Sequence, residues 1–110
     1  MKTAKQLITD TIIGLINTNE ISVKDKGLEI ACLKAWEIIP PYAEYTSIYA
    51  GDYILNVRID RDNGEEILLE VFDEKGTVEN RWTKHNPTTR QLIEGLSTVL
   101  RTFIDLTNKG

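Results

Sequence analysis

The chain has 110 residues, of which 41% are hydrophobic and 27% are charged, and it contains one cysteine. This length and composition are typical of a single globular domain and argue against wholesale disorder. The formal net charge of −4 disfavours nonspecific binding to nucleic acid or to an anionic membrane. No apolar run approaches the length of a membrane span, and Asp10 interrupts the only stretch that resembles a signal peptide. We therefore expect a cytoplasmic protein with no membrane partner.

Two amphipathic helices are predicted in the N-terminal third of the chain. The first runs from Thr3 to about Asn17, with apolar residues at helical spacing. For the second, Ser22 is the expected N-cap, and Pro40-Pro41 ends the helix because proline excludes the α conformation for the residue before it. The predicted apolar face of this second helix consists of Leu28, Ala31, Cys32, Ala35, Trp36 and Ile39.

The period of the apolar residues changes to two in the middle of the chain. Three alternating runs at 53–59, 67–71 and 78–82 are separated by turn-forming residues at 62–64 and 73–76, which predicts an antiparallel meander. A long final helix then follows the sequence Asn86-Pro87-Thr88 and ends near Asn108. Its predicted apolar face consists of Leu92, Leu96, Val99, Leu100 and Phe103.

The segment 42–53 contains all four tyrosines of the chain, at spacings that would place them on one face of a helix. A strand is the alternative, because Gly51-Asp52 suits a type II′ hairpin turn and the preceding residues are aromatic or β-branched. We predict the strand, which makes a fourth strand of the meander and divides the tyrosine rings between its two faces. The predicted fold is therefore α+β, in the order α-α-β-β-β-β-α.

The register of the strands follows from the need to place apolar residues on one common face. A three-residue loop at 62–64 pairs Ile59 with Ile67, and a four-residue loop at 73–76 places Val71 opposite Val78 and Leu69 opposite Asn80. The predicted core face then consists of Ile48, Tyr53, Leu55, Val57, Ile59, Ile67, Leu69, Val71, Val78 and Trp82.

The other face of the predicted sheet combines aromatic, aliphatic and charged residues, Ile54 among them. Such a face is too apolar for an ordinary wet surface and too charged for a sealed core, and its aromatic and arginine residues are of the types enriched at protein interfaces. One alternative is that an N-terminal helix of the same chain covers it. The predicted partner-binding residues are Tyr45, Tyr49, Arg58, Leu68, Glu70, Phe72, Glu79 and Arg81.

Charge is distributed unevenly along the strands. Residues 60–74 carry seven acids against Arg61, a local charge of −6. Residues 80–90 carry three basic residues and no acid, a local charge of +3. We expect these to be solvated turns and strand edges. The basic residues are Arg81, Lys84 and Arg90.

Residues typical of catalysis and of metal binding are few. We expect His85, the only histidine, to have a capping or surface role, and Cys32 to pack as a small hydrophobic residue. The stretch 60–66 fails the spacing of a calcium loop, because Ile59 and Arg61 would fall at ligand positions. We therefore predict no catalytic residue, no metal site and no cofactor.

The sequence thus favours a non-catalytic protein-binding module that uses the mixed sheet face. Its size and acidity are similar in type to those of inhibitors, immunity proteins and adaptors of mobile genetic elements, and we expect a homodimer. Single-stranded nucleic acid is the alternative partner, since a meander followed by a long helix is similar in architecture to some single-strand-binding domains, including the plant Whirly family. A small enzyme using His85 is a second alternative.

Overall fold

A computed structural model describes residues 2–109 of the chain. The described elements make an α+β fold, as predicted, with one short strand more than the sequence indicated. The strand order follows the chain order, and each strand pairs antiparallel with its neighbour in sequence. The elements are α1 (Ala4–Asn17), α2 (Lys26–Lys34), β1 (Glu37–Ile39), β2 (Ala43–Ala50), β3 (Tyr53–Asp60), β4 (Glu66–Asp73), β5 (Val78–His85) and α3 (Thr89–Thr107).

The core lies between one face of the sheet and the helices. Phe103 of α3 and Ile12 of α1 are fully buried against apolar side chains of β2, β3 and β4. The apolar stripes of α1 and α3 recur at helical spacing, so each helix buries one side and exposes the other. The buried face of α3 is the predicted one, with Leu92, Leu96, Val99, Leu100 and Phe103 all buried.

Both long helices begin with a capping box. The side chain of Thr3 accepts a hydrogen bond from the backbone N–H of Gln6, whose side chain accepts one from the backbone of Thr3. Thr88 and Gln91 repeat this arrangement at the start of α3. Each box satisfies two backbone donors that have no partner inside the helix, which fixes where the helix begins.

The second helix departs from its prediction in start, end and orientation. Asp25, not Ser22, is its N-cap, and the Asp25 carboxylate accepts from the backbone N–H of Leu28 at 3.0 Å. Leu28 itself is 58% exposed, whereas Leu33 and Glu29 are buried. The predicted apolar face was therefore wrong. The helix is rotated because its buried side covers the part of β2 that β1 leaves unpaired. There the carboxylate of Glu29 accepts a hydrogen bond from the backbone amide of Tyr49, which has no partner strand in the described part of the chain.

The residues after α2 form strand β1, where the sequence predicted continued helix. Ile39 pairs with Ala43, and Glu37 pairs with Tyr45, across the turn that contains Pro40-Pro41. The helical prediction for Ile39 failed because cross-strand pairing with β2 decides the conformation here, and local periodicity does not report that partner.

Two of the predicted turns are confirmed in register and in backbone conformation. Gly51 has φ 58° and Asp52 has a negative φ, as in a type II′ turn. Ala50 pairs with Tyr53 across it. Gly64 has φ 86°, and Ile59 pairs with Ile67 as the three-residue loop requires.

The register between β4 and β5 was predicted incorrectly. The carboxylate of Asp73 accepts from the backbone N–H groups of Lys75 and Thr77, at 2.9 Å each, and this closes a tighter turn than a four-residue loop. Val78 therefore lies opposite Phe72, and a bulge follows it.

Beyond the bulge the pairs differ from those predicted. Asn80 lies opposite Val71, and Trp82 lies opposite Leu69. Val78 is therefore 50% exposed on the outer side instead of belonging to the core face. The bulge adds one residue, which keeps Trp82 on the side of the helices.

Candidate functional site

The sheet has a face that none of the described helices buries. We call this the outer face; it carries the side chains of β2 to β5 that point away from α1 and α3. Apart from Ala43, every residue of β2 to β5 on this face is half-buried or exposed. The alternative that an N-terminal helix covers it is therefore wrong. All eight residues predicted to bind a partner lie on this side or at its rim: Tyr45, Tyr49, Arg58, Leu68, Glu70, Phe72, Glu79 and Arg81.

One end of the outer face is apolar. Register places Tyr49, Ile54, Phe72 and Val78 side by side on four consecutive strands. We call this set the apolar row. Tyr49 is 56% exposed and Val78 is 50% exposed. Four large apolar side chains in contact across strands stabilise the sheet, and their exposed sides form a continuous surface that another apolar surface can cover.

A polar row crosses the sheet beside the apolar row. Arg81 lies opposite Glu70, and its Nε is 3.7 Å from Oε2 of that carboxylate. Next along the row, the Ser47 hydroxyl donates to Oδ1 of Asn56 at 3.1 Å. Glu79 is exposed and is the extra residue of the bulge. The charges of Glu70 and Arg81 are thus already paired within the chain, which lowers the cost of covering them.

Tyr45 occupies the next row, beside Arg58 and opposite Glu37 of β1. Its hydroxyl donates a hydrogen bond to the Glu37 carboxylate. This hydrogen bond raises the pKa of the Tyr45 hydroxyl, and the negative charge of Glu37 adds to the effect. The hydrogen bond restricts the tyrosine ring before any partner binds, so less side-chain conformational entropy is lost on binding.

A cleft of about 190 Å³ lies between the C-terminal end of α2 and the edge of β2. Tyr45, Tyr49 and Cys32 line it, and Cys32 is exposed. The prediction that Cys32 packs in the core was therefore wrong, because α2 is rotated from its expected orientation. The hydroxyl of Thr46, which also lines the cleft, donates to the backbone carbonyl of Cys32 at 3.3 Å and joins helix to strand.

Two carboxylates near β2 have shifted pKa values of opposite sign. Burial raises the pKa of Glu29, and a hydrogen bond from the backbone amide of Tyr49 opposes that rise. The pKa of Glu44 is lowered, first by its hydrogen bond with Lys5 and also by Arg61, whose Nη1 is 2.6 Å from Oε1 of Glu44. These groups tie α1, α2 and the 61–65 loop to β2.

His85 is exposed at the end of β5, opposite Glu66. It lines an open depression of about 430 Å³ together with Asp60 and Asp62. The imidazole of His85 and the carboxylate of Asp62 are exposed there, and Asp60 is half-buried. A small enzyme that uses His85 stays a prediction.

Val78 is the member of the apolar row that sequence reasoning missed. The spacing of Asp73 and Gly76 could have indicated the tighter turn, since an aspartate at the first turn position accepts from the amides that follow it. The bulge that comes next has no local signature in the chain.

Neither a family model, nor a curated protein, nor a solved structure matches this chain in the comparisons with known proteins. Within residues 2–109, no helix is long and apolar enough to cross a membrane. In the same part of the chain, no three histidine, cysteine, aspartate or glutamate side chains are grouped so as to hold a metal ion.

Proposed function

We propose that this protein is a non-catalytic protein-binding module that docks a partner on its outer face. The observation that carries the proposal is the apolar row beside a row of paired charges, on a sheet face that no described helix buries. An inhibitor, immunity protein or adaptor of a mobile genetic element would work in this way, and we propose that class of role.

The size of the outer face sets the strength of association that it supports. A strand of eight residues is about 26 Å long at about 3.3 Å per residue, and four strands at about 4.8 Å spacing are about 19 Å wide. The area of the outer face is then about 500 Å², which is smaller than the roughly 800 Å² that each partner buries in a standard interface. A stable complex would also include the rim, where the cleft lined by Tyr45 and Tyr49 continues the surface.

The occupant that we propose in the absence of another protein is a second copy of the chain. A two-fold axis through the apolar row brings the two rows together and leaves the row of Glu70 and Arg81 at the periphery. This gives the apolar centre and polar rim of ordinary interfaces. Two sheets packed face to face lie about 10 Å apart, a distance that aromatic side chains such as Phe72 can fill.

Sedimentation velocity over a series of concentrations tests this proposal. The monomer has a mass of 12.5 kDa, and the wild type should approach twice that value as concentration rises. Phe72→Ala should raise the dimer dissociation constant at least about tenfold, because each copy loses a buried ring worth about 1.5–3 kcal/mol. Ile93→Ala, which removes an exposed apolar residue of α3 on the other side of the molecule, should leave it unchanged.

Three outcomes would contradict the proposal. A wild type that is monomeric throughout, and that binds the same lysate proteins as Phe72→Ala, would show that the outer face is not a docking surface. Unfolding of Phe72→Ala, detected by circular dichroism, would place that ring in the core. Binding of labelled oligo-dT that is lost in Arg58→Ala would instead favour single-stranded nucleic acid as the partner.

A further inference from the structure

The open edge of β5 is a second surface with features of a recognition site. β5 pairs with β4 on one side only, and no described strand lies on its other side. The backbone N–H of Asn86 donates to Glu65 at 2.7 Å across the ladder to β4. Since backbone groups of a strand alternate in direction, the N–H groups of Thr83 and His85 point to the open edge. The edge thus offers free donors to another strand.

The same edge is partly blocked further along. The backbone N–H of Arg81 receives a hydrogen bond from the side chain of Asn80 at 2.8 Å, and the bulge interrupts the strand before it. Charged side chains and bulges are devices that stop edge strands from pairing indiscriminately. Only the part of β5 from about Thr83 to His85 is therefore open, which suits a short extended segment rather than a long sheet edge.

A groove of about 400 Å³ lies next to this edge, between β5 and α3. It exists because Gly95 has no side chain, which lets the indole of Trp82 lie directly against α3. A strand added to β5 would send alternate side chains into this groove, where Trp82 offers an apolar surface. The lining residues are Arg81, Trp82, Lys84, Gln91, Glu94, Gly95 and Thr98.

The charge around the groove selects the chemistry of its occupant. Arg81 and Lys84 are exposed at the edge, and Arg90 is exposed at the start of α3. The one acid that lines the groove, Glu94, lies 3.6 Å from the Nε of Arg90. Arg81 is also paired with Glu70 on the outer face, so the three basic side chains outnumber their two acids by one, and Lys84 is the one that forms no ion pair among the described residues. This excess also disfavours pairing of β5 with β5 of a second copy, because like charges would then face each other.

We propose that the β5 edge and the groove beside α3 bind an extended acidic segment of a partner protein as a sixth strand. Its backbone pairs with Thr83 and His85. On the groove side an apolar side chain rests on Trp82 and an acidic one lies near Lys84, and a second acidic side chain lies near Arg81 on the outer face. Adding a strand between a sheet edge and a helix is a general mode of peptide recognition, in which backbone hydrogen bonds give affinity and groove contacts give specificity.

Fluorescence anisotropy with a labelled synthetic peptide tests the proposal on the full chain. The probe is the capped peptide Thr-Glu-Thr-Val-Glu-Thr, about six residues being a typical strand length. Paired antiparallel to β5 with its valine opposite Trp82, it places one glutamate opposite Lys84 and the other opposite Arg81. Thr83→Pro should weaken binding at least about tenfold, because it removes an edge donor that has no partner in the sheet, where proline is tolerated. Thr83→Val, which keeps that donor, should bind as the wild type does.

Charge reversal provides an independent variant if Thr83→Pro fails to fold. Lys84→Glu should weaken binding by a similar factor, and Lys24→Glu, an equal change of charge in the loop between α1 and α2, should have a much smaller effect. A peptide that is N-methylated at alternate residues should not bind. Equal binding of the methylated peptide, no binding by the wild type, or tighter binding of oligo-dT than of the peptide would each overturn the proposal.

Discussion

The contact between Gly95 and Trp82 makes the strongest prediction about stability. An ideal Cβ placed on Gly95 would lie 2.5 Å from Cδ2 and 2.9 Å from Cε3 of the Trp82 indole. Carbon atoms in contact are normally about 3.5–4.0 Å apart, so the ring would have to move by about 1 Å. These are atoms of a rigid ring, so no flexible end of a side chain can give way.

The magnitude follows from comparison with a second helical glycine. Gly14 lies in α1, and a Cβ there would meet nothing within 4 Å. Both glycine-to-alanine substitutions gain about 0.5–1 kcal/mol of helix propensity, and only Gly95→Ala also forces overpacking, at about 1–3 kcal/mol. Gly95→Ala should therefore be less stable than Gly14→Ala by about 1–3 kcal/mol, since the propensity gain cancels in the difference.

Urea unfolding followed by circular dichroism measures this difference. At about 4 °C per kcal/mol for a domain of this length, it also separates the two melting temperatures by about 4–12 °C. In a Trp82→Ala background the penalty for Gly95→Ala should disappear, which identifies the indole as its cause. If Gly95→Ala stabilises the wild-type chain as much as Gly14→Ala does, the proposed packing of Trp82 on α3 is incorrect.

Four further predictions concern local features of the fold. Glu29→Gln should stabilise the protein at pH 7, because burial disfavours the charged carboxylate of Glu29, as its raised pKa indicates. The gain should vanish below about pH 4, where Glu29 is protonated and neutral in both the folded and the unfolded protein. Glu44→Gln should destabilise the protein at pH 7, because the pKa of Glu44 is lowered in the folded state. The stability that Glu44 contributes is present above its unfolded pKa and is lost as the pH falls through its folded pKa. Chemical unfolding at several pH values measures the effect of both substitutions. Asp25→Ala should cost about 1 kcal/mol through loss of the N-cap, with Ser22→Ala as a control near zero. Asn86→Ala should cost about 1–2 kcal/mol, because it loses a 2.8 Å hydrogen bond to the 61–65 loop and places alanine at φ 48°.

Each of these predictions has an outcome that contradicts it. The same pH dependence for Glu29→Gln and Glu44→Gln would mean that their environments are not of opposite sign. A larger cost for Ser22→Ala than for Asp25→Ala would restore the earlier start of α2. Equal stability of Asn86→Ala and the wild type would show that the loop does not depend on that residue.

The sequence predicted the candidate site wherever the length of a turn fixed the register of the strands on either side of it. Tyr45 and Tyr49 share the outer face because the Gly51-Asp52 turn fixes the pairing of β2 with β3, and both features are local. Leu68 and Phe72 follow from the loop at 62–64 in the same way. Val78 did not follow, because the turn before it is tighter than the four-residue loop that we predicted.

The sequence by itself determined the class of fold, the capping boxes at Thr3 and Thr88, and the buried stripe of α3. These features depend on periodicity and on hydrogen bonds between residues three or four positions apart, so the local chain contains the information. Tertiary structure alone decided the rotation of α2, the strand at 37–39 and the bulge before Asn80. In each case the competing local conformations are close in free energy, and a distant partner stabilises one of them: the free edge of β2 for α2 and β1, and the contact of Trp82 with Gly95 for the bulge.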